Sequence, residues 1–222
     1  MDRPIDLIIL DCDGVLIDSE GLSAEVLIGA LEDLGVPVDF DYFCTNFVGR
    51  SFPTVARDIQ ATFDVVLPCD FEQNYRRDLL AKFEHHLVPT VGVADMLDGL
   101  TTRFCVATSS SPARVSISLN IAKLTCYFGP DVFTASQVAH GKPAPDLFLF
   151  AAAKMNVDPA HCLVIEDSLP GVEAALAADM RVLRYTGGAH LAGRVLKHGD
   201  HVRSFEDWTD LRALVPEIFA AS

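Results

Sequence analysis

Three runs of apolar residues punctuate the chain, at 5–10, 104–108 and 162–165. Each is short, rich in Ile, Val or Leu, and ends in polar residues, the pattern of a strand buried on both faces. Residues 132–134 and 182–184 repeat it more briefly. Between these runs, residues 94–100, 113–119, 146–155 and 172–178 carry a helix-like pattern. Strands alternating with helices predict an α/β fold, a Rossmann-like parallel sheet core flanked by helices. Polar residues close the three central strands: Asp11 and Asp13, then Thr108 to Ser110, then Glu166 and Asp167. Ligands of open parallel sheets bind beyond those ends, so three distant segments are expected to share one crevice.

Residues 19–86 follow a different rhythm. Leu27, Ala30, Leu31 and Leu34 recur at helical spacing before the stop signal Gly35, and 57–63 and 75–83 continue the pattern. With no convincing strand, this block is too long for a plain crossover. It predicts an inserted α-helical domain at 18–87, with the core built from 1–17 and 88–222.

Composition narrows the function. The chain has 222 residues, 50% hydrophobic and 22% charged, enough to bury a sizeable core. Seventeen Lys and Arg against thirty-one Asp and Glu give a formal charge of −14, which argues against nucleic acid or an anionic membrane as partner. A small anionic substrate remains compatible, because a few local cations can dominate a pocket. No apolar run approaches the ~20 residues of a spanning helix. Met1 to Pro4 do not resemble a signal peptide, so a cytoplasmic protein is expected. The six cysteines are far apart, and several lie in apolar runs; they are expected to be reduced and buried.

Four segments carry candidate chemistry. Asp11-Cys12-Asp13-Gly14 follows the first strand, where residues two apart point the same way and both carboxylates can face one cavity. Carboxylates this close repel, so one is protonated or a cation sits beside them. A solvated turn is the alternative. An EF-hand loop fails, because its required Gly and Glu are replaced by Leu16 and Leu22. Thr108, Ser109 and Ser110 form either an anion cradle or a helix cap. Lys142, in Gly141-Lys142-Pro143-Ala144-Pro145-Asp146, is held by two prolines at a helix mouth, suited to neutralising a phosphate or carboxylate. A solvated lysine is the alternative. Glu166 and Asp167 form a second acidic pair on a second buried strand. Two such pairs point to a hard cation with oxygen ligands, most simply Mg²⁺; two helix-entry caps are the competing reading.

In order and spacing these four segments resemble the haloacid dehalogenase superfamily of phosphatases, nearly end to end, with a helical cap after the first motif. The resemblance implies that Asp11 is the nucleophile and Asp13 the general acid and base. Thr108, with neighbouring amides, would hold the phosphoryl oxygens, and Lys142 would balance charge. Asp11, the carbonyl of Asp13 and Asp167 would hold Mg²⁺, with Glu166 assisting. In the cap, Gly49 and Arg50 occupy the place of a substrate-facing loop, and Arg77 is expected in the cavity; Ser109 and Ser110 are further substrate-binding candidates. His85 and His86 are expected at the surface.

Within the superfamily the chain is similar to β-phosphoglucomutase-like proteins, but Ser23 stands where mutases carry a histidine tied to acid–base gating. The Asp-Cys-Asp-Gly opening, Ser19-Glu20 and Tyr127-Phe128-Gly129-Pro130 resemble bacterial sugar-phosphate phosphatases, including 6-phosphogluconate phosphatase. The implied activity is hydrolysis of a small phosphorylated metabolite, by a monomer or dimer. A phosphosugar mutase and a non-catalytic phosphate- or metal-binding module are the alternatives. Release of free phosphate separates the first from both.

Overall fold

The computed structural model describes residues 3–194 and 202–220. Strand β1 (Leu7–Leu10) is followed by four helices: α1 (Glu20–Glu32), α2 (Phe40–Asn46), α3 (Phe52–Phe63) and α4 (Phe71–His86). Helix α5 (Val93–Gly99) leads into β2 (Arg103–Thr108), α6 (Pro112–Ile121), the single turn α7 (Thr125–Phe128) and β3 (Val132–Thr134). Then come α8 (Asp146–Met155), β4 (Cys162–Glu166), α9 (Leu169–Ala177), β5 (Arg181–Tyr185), β6 (Ser204–Phe205) and α10 (Trp208–Leu214).

The strands form one parallel sheet in the order β3-β2-β1-β4-β5-β6. β1 is central, with Leu10 opposite Val106 on one side and Ile165 on the other. The strand order reverses direction beside β1, so the crevice of this topology opens where Asp11 emerges. All four β1 residues are fully buried, because both faces are covered. Leu7 and Ile9 face a layer containing Leu147, Phe148 and Ala151 of α8 and Ala174 of α9. Ile8 and Leu10 face the other layer, with Met96 and Leu97 of α5, Val115 of α6 and Leu211 of α10.

The helices α1 to α4 contribute Leu27, Leu31, Phe43, Ile59, Leu79 and Phe83, which continue this same apolar layer. The chain leaves and re-enters the sheet region at one place. Ile17 bridges Pro89 in antiparallel fashion, Asp18 donates to the carbonyl of Val88 at 3.0 Å, and Thr90 donates to Leu16 at 3.0 Å. The Thr90 hydroxyl donates to the carbonyl of Val15 at 2.6 Å and accepts from the Trp208 indole at 3.0 Å, which pins this double crossing to α10.

The parallel sheet and its flanking helices agree with the expectation, and differences lie at element ends. Helix α1 stops at Glu32 rather than Leu34; Leu34 is exposed and Gly35 takes φ +73°. Helix α2 is too short to show a helical period; Asp39 starts it by accepting from the Tyr42 amide at 2.7 Å. Strand β6 has only two residues. All six cysteines are free, but burial holds for Cys12, Cys105 and Cys162 alone; Cys44 is half-buried and Cys69 and Cys126 are exposed, one at the turn entering α4 and the other in the single turn α7, where no layer covers them. No helix among the described residues is long and apolar enough to cross a membrane.

Ile9 has no exposed surface and is packed on three sides. Ile9→Ala should cost about 2–5 kcal/mol and Ile9→Val about 0.5–1.5, read by urea unfolding. Equal and negligible losses would show that this layer can collapse around the gap.

Candidate active site

The end of β1 turns sharply at Gly14, whose φ of +76° favours glycine. A Cβ there would stand 2.0 Å from Oδ2 of Asp167, so the bare backbone is what lets β1 and β4 bring their acidic ends together. Asp11, Asp13, Lys142, Glu166 and Asp167 are all buried. Side-chain oxygens of Asp11, Glu166 and Asp167 lie within 4.8 Å of one another.

Lys142 sits inside this acidic group. Its ammonium donates to Asp11 Oδ1 and to Glu166 Oε1, each at 2.7 Å, and lies 5.0 Å from the Phe148 ring centroid. Burial would favour the neutral amine, but Asp11 and Glu166 outweigh it and hold Lys142 above the ordinary lysine range. Glu166 is engaged on both oxygens, the second accepting from the amide and hydroxyl of Ser168 at 2.7 and 2.9 Å. Asp167 is different: both its oxygens are buried without a hydrogen bond. Its neighbour His190 places Nε2 3.0 Å from Oδ2 but is not aligned to donate. Burial and the charge of Glu166 push Asp167 well up, while burial, followed by Glu166 and Asp167, raises Asp11 against the pull of Lys142. Three carboxylates and one ammonium leave an excess of negative charge, and the orphaned oxygens of Asp167 fit a hard divalent cation.

Asp13 has the opposite surroundings. Oδ1 accepts from Ser19 at 2.6 Å and from Arg114 at 2.7 Å, and Oδ2 accepts from Ser110 at 2.6 Å. Burial works against its charge, but Arg114 first, then the hydroxyls, hold it below the usual carboxylate range. Thus two carboxylates from one strand end sit in opposed surroundings, Asp13 held as the anion and Asp11 pushed towards its neutral form.

A cavity lies over these residues. Asp11, Asp13 and Thr108 to Ser111 line its floor, and Glu20, Gly49, Arg50, Tyr75 and Arg76 line the opposite walls. Thr108 accepts from the Ser110 amide at 3.0 Å, and Ser109 donates to the carbonyl of Gly49 at 2.9 Å. Gly49 has φ +76°, and a Cβ there would stand 2.2 Å from the Ser168 hydroxyl, so only glycine permits this approach.

A haloacid dehalogenase-like hydrolase model matches residues 5–179. The chain belongs to the haloacid dehalogenase-like hydrolase family. It is an enzyme, a phosphatase of that family. It is 25% identical over 187 residues to 6-phosphogluconate phosphatase of Escherichia coli, covering 84% of this chain and 85% of that protein. A phosphorylated carbohydrates phosphatase of Thermotoga maritima is 29% identical over 182 residues, with 78% and 82% covered. Among solved structures, a haloacid dehalogenase-like protein of unknown function from Agrobacterium tumefaciens superposes with a TM-score of 0.80 at 31% identity, covering 96% of this chain and 98% of that one.

Most of the sequence-predicted residues of this haloacid dehalogenase-like hydrolase are brought together; Arg77 is not. It is largely exposed and paired with Asp78, with a further bond to Asn74 at 3.0 Å. The buried stripe of α4 runs Phe71, Tyr75, Leu79, Phe83, and Arg76 borders it on the cavity side, donating to Ser111 and Glu72. Helix phase alone separates the two arginines. Arg50 does line the cavity while staying exposed. His85 and His86 are exposed, as expected.

Arg114, Ser19, Glu20 and His190 are the site residues that motif reading missed. Arg114 lies in the first turn of α6, where an arginine ordinarily faces water. Its signal is three-dimensional: Arg114 and Asp13 are 101 positions apart and share a hydrogen bond.

Glu20 is a buried acid whose proton is held to about pH 8, chiefly by burial and then by the charge of Asp13. Its ordinary value is 4.5, so between about 4.5 and about 8 the unfolded chain has lost a proton that the folded chain keeps. Stability from this group therefore falls as pH rises through that window. In chelator-treated protein, Glu20→Gln should melt several degrees above the parent at pH 8 and level with it near pH 4. A parallel offset at both pH values would refute the buried proton.

Proposed function

We propose that this phosphatase is Mg²⁺-dependent and hydrolyses a small phosphorylated sugar or sugar acid, such as 6-phosphogluconate, through an aspartyl-phosphate on Asp11. The division of labour between Asp11 and Asp13 carries this reading. Asp11 is held on one oxygen by Lys142, at the floor of a cavity, whereas Asp13 lines the same cavity and is oriented by Ser19, Ser110 and Arg114.

Asp11, Asp167 and the main-chain carbonyl of Asp13 would hold the Mg²⁺, with Glu166 close by. The ion supplies charge neutralisation for the dianionic ester and for the carboxylate that attacks it. Lys142 orients Asp11 and offsets its charge. In the first half-reaction a carboxylate oxygen of Asp11 forms a bond to phosphorus while the ester P–O bond breaks. The electron pair leaves on the sugar oxygen, which takes a proton from Asp13. In the second, Asp13 accepts a proton from water, the water oxygen bonds to phosphorus, and the P–O bond to Asp11 breaks. The sum is ester and water giving alcohol and phosphate, with both aspartates restored. Thr108 and the amides after it hold the non-bridging oxygens.

The helical segment 18–87 serves as a cap over the core formed by 1–17 and 88–222. Ser109 with Gly49, and Arg76 with Ser111, draw it onto the site. Arg50 and Arg76 supply positive charge on the cap side, suiting a substrate with a second anionic group. The names of the two phosphatase relatives support the sugar-phosphate class, and the chain spans most of both.

A panel of phosphorylated metabolites, assayed for free phosphate with and without chelator, tests this reading. Turnover should require added Mg²⁺, and Asp11→Ala should abolish it. Asp13→Asn should lower turnover by about 10²–10⁴-fold while the fold is retained, checked by circular dichroism. Release unaffected by chelator or by Asp11→Ala would overturn the mechanism. Arg50→Ala should cost sugar acids more than neutral sugars; an unchanged ranking would remove Arg50 from specificity.

A further inference from the structure

Arg114 belongs to α6 of the core, yet its surroundings come largely from the helical segment. One nitrogen, Nη2, donates to Asp13 Oδ1 at 2.7 Å and to the Ser23 hydroxyl of α1 at 3.1 Å. Its guanidinium carbon lies 5.4 Å from the Phe83 ring centroid of α4, and the side chain is only 17% exposed. Ser19, the other donor to Oδ1, immediately precedes α1, while Ser110 on the core holds Oδ2. The direction of the Asp13 carboxylate is thus fixed at one oxygen by groups whose positions depend on α1 and α4. Oδ2 keeps a single donor and is the oxygen with room to exchange a proton.

We propose that Arg114 is a positioning residue that aims the Asp13 carboxylate at the leaving oxygen, and that it holds this aim only while Ser23 and Phe83 are packed against it. This ties the aim of Asp13 to contacts from α1 and α4 as well as to the core. The residue does not touch the reacting phosphoryl group; it acts through Asp13. Ser23 is compatible with this because a small hydroxyl leaves room for the guanidinium and accepts its second bond. The assignment rests on the phosphatase reading above, and it concerns only how Asp13 is aimed.

The test compares two esters in Arg114→Lys and Arg114→Met proteins with Mg²⁺ present: the best sugar phosphate of the panel and 4-nitrophenyl phosphate. Nitrophenolate departs without a proton, so its release does not need an aimed acid. Both variants should lower kcat/KM for the sugar phosphate by at least about tenfold, Met more than Lys, through kcat with KM nearly unchanged. The nitrophenyl ester should lose less than about threefold in kcat/KM. Equal losses on both esters, or a loss appearing only in KM, would assign Arg114 to folding or substrate binding and overturn the proposal, as would no loss at all. Where Arg114→Met fails to fold, Arg114→Lys keeps the charge and carries the same comparison. Wild-type protein inert towards every ester with Mg²⁺ would instead overturn the phosphatase reading itself.

Discussion

The ammonium of Lys142, fully enclosed and shared between Asp11 and Glu166, is the interaction on which the active centre turns. Removing one member of a buried ion pair costs about 3–5 kcal/mol, because its partner is left charged in a poorly solvating interior. Here the cation also joins distant parts of the chain: the ends of β1 and β4 and the segment before α8. It offsets only part of the charge around it. Asp167 keeps two buried oxygens without a hydrogen bond, and the turn at Gly14 packs its bare backbone against them. The three acidic side chains at these strand ends form a cluster whose geometry fits a metal ion.

The pair Asp11 and Asp13 shows how position on one turn separates two roles. Asp11 looks towards acidic neighbours and a single ammonium, whereas Asp13 looks towards three donors from two segments. Identical side chains two positions apart thus acquire opposed tendencies without any difference in their own chemistry. The protein achieves this by crossing the sheet end with α1 on one side and α6 on the other.

Much of this architecture is legible in the sequence because the sheet is buried on both faces. Runs such as Leu7–Leu10 and 162–165 must be continuously apolar and must end where the acidic residues begin. Lys142 is legible too, since its flanking prolines restrict the backbone around it. What escapes reading is whatever depends on a neighbour from another segment. Arg76 and Arg77 look alike in the chain and differ only by about 100° around α4. Arg114 and His190 carry no local pattern, for each is defined by burial against a partner far away in sequence. Strand β6 is invisible for another reason: two residues are too few to show a period.

The double crossing at Ile17 and Pro89 has a consequence for how such enzymes diversify. Since the outgoing and returning passes are hydrogen-bonded side by side and pinned through Thr90 to Trp208, the stretch between them starts and finishes at one place on the sheet. Joining the two ends is already accomplished there, and doubling the length of a connection adds only about 0.6 kcal/mol of closure entropy. Lids of quite different size or make-up can be exchanged at this seam while the sheet beneath keeps its register.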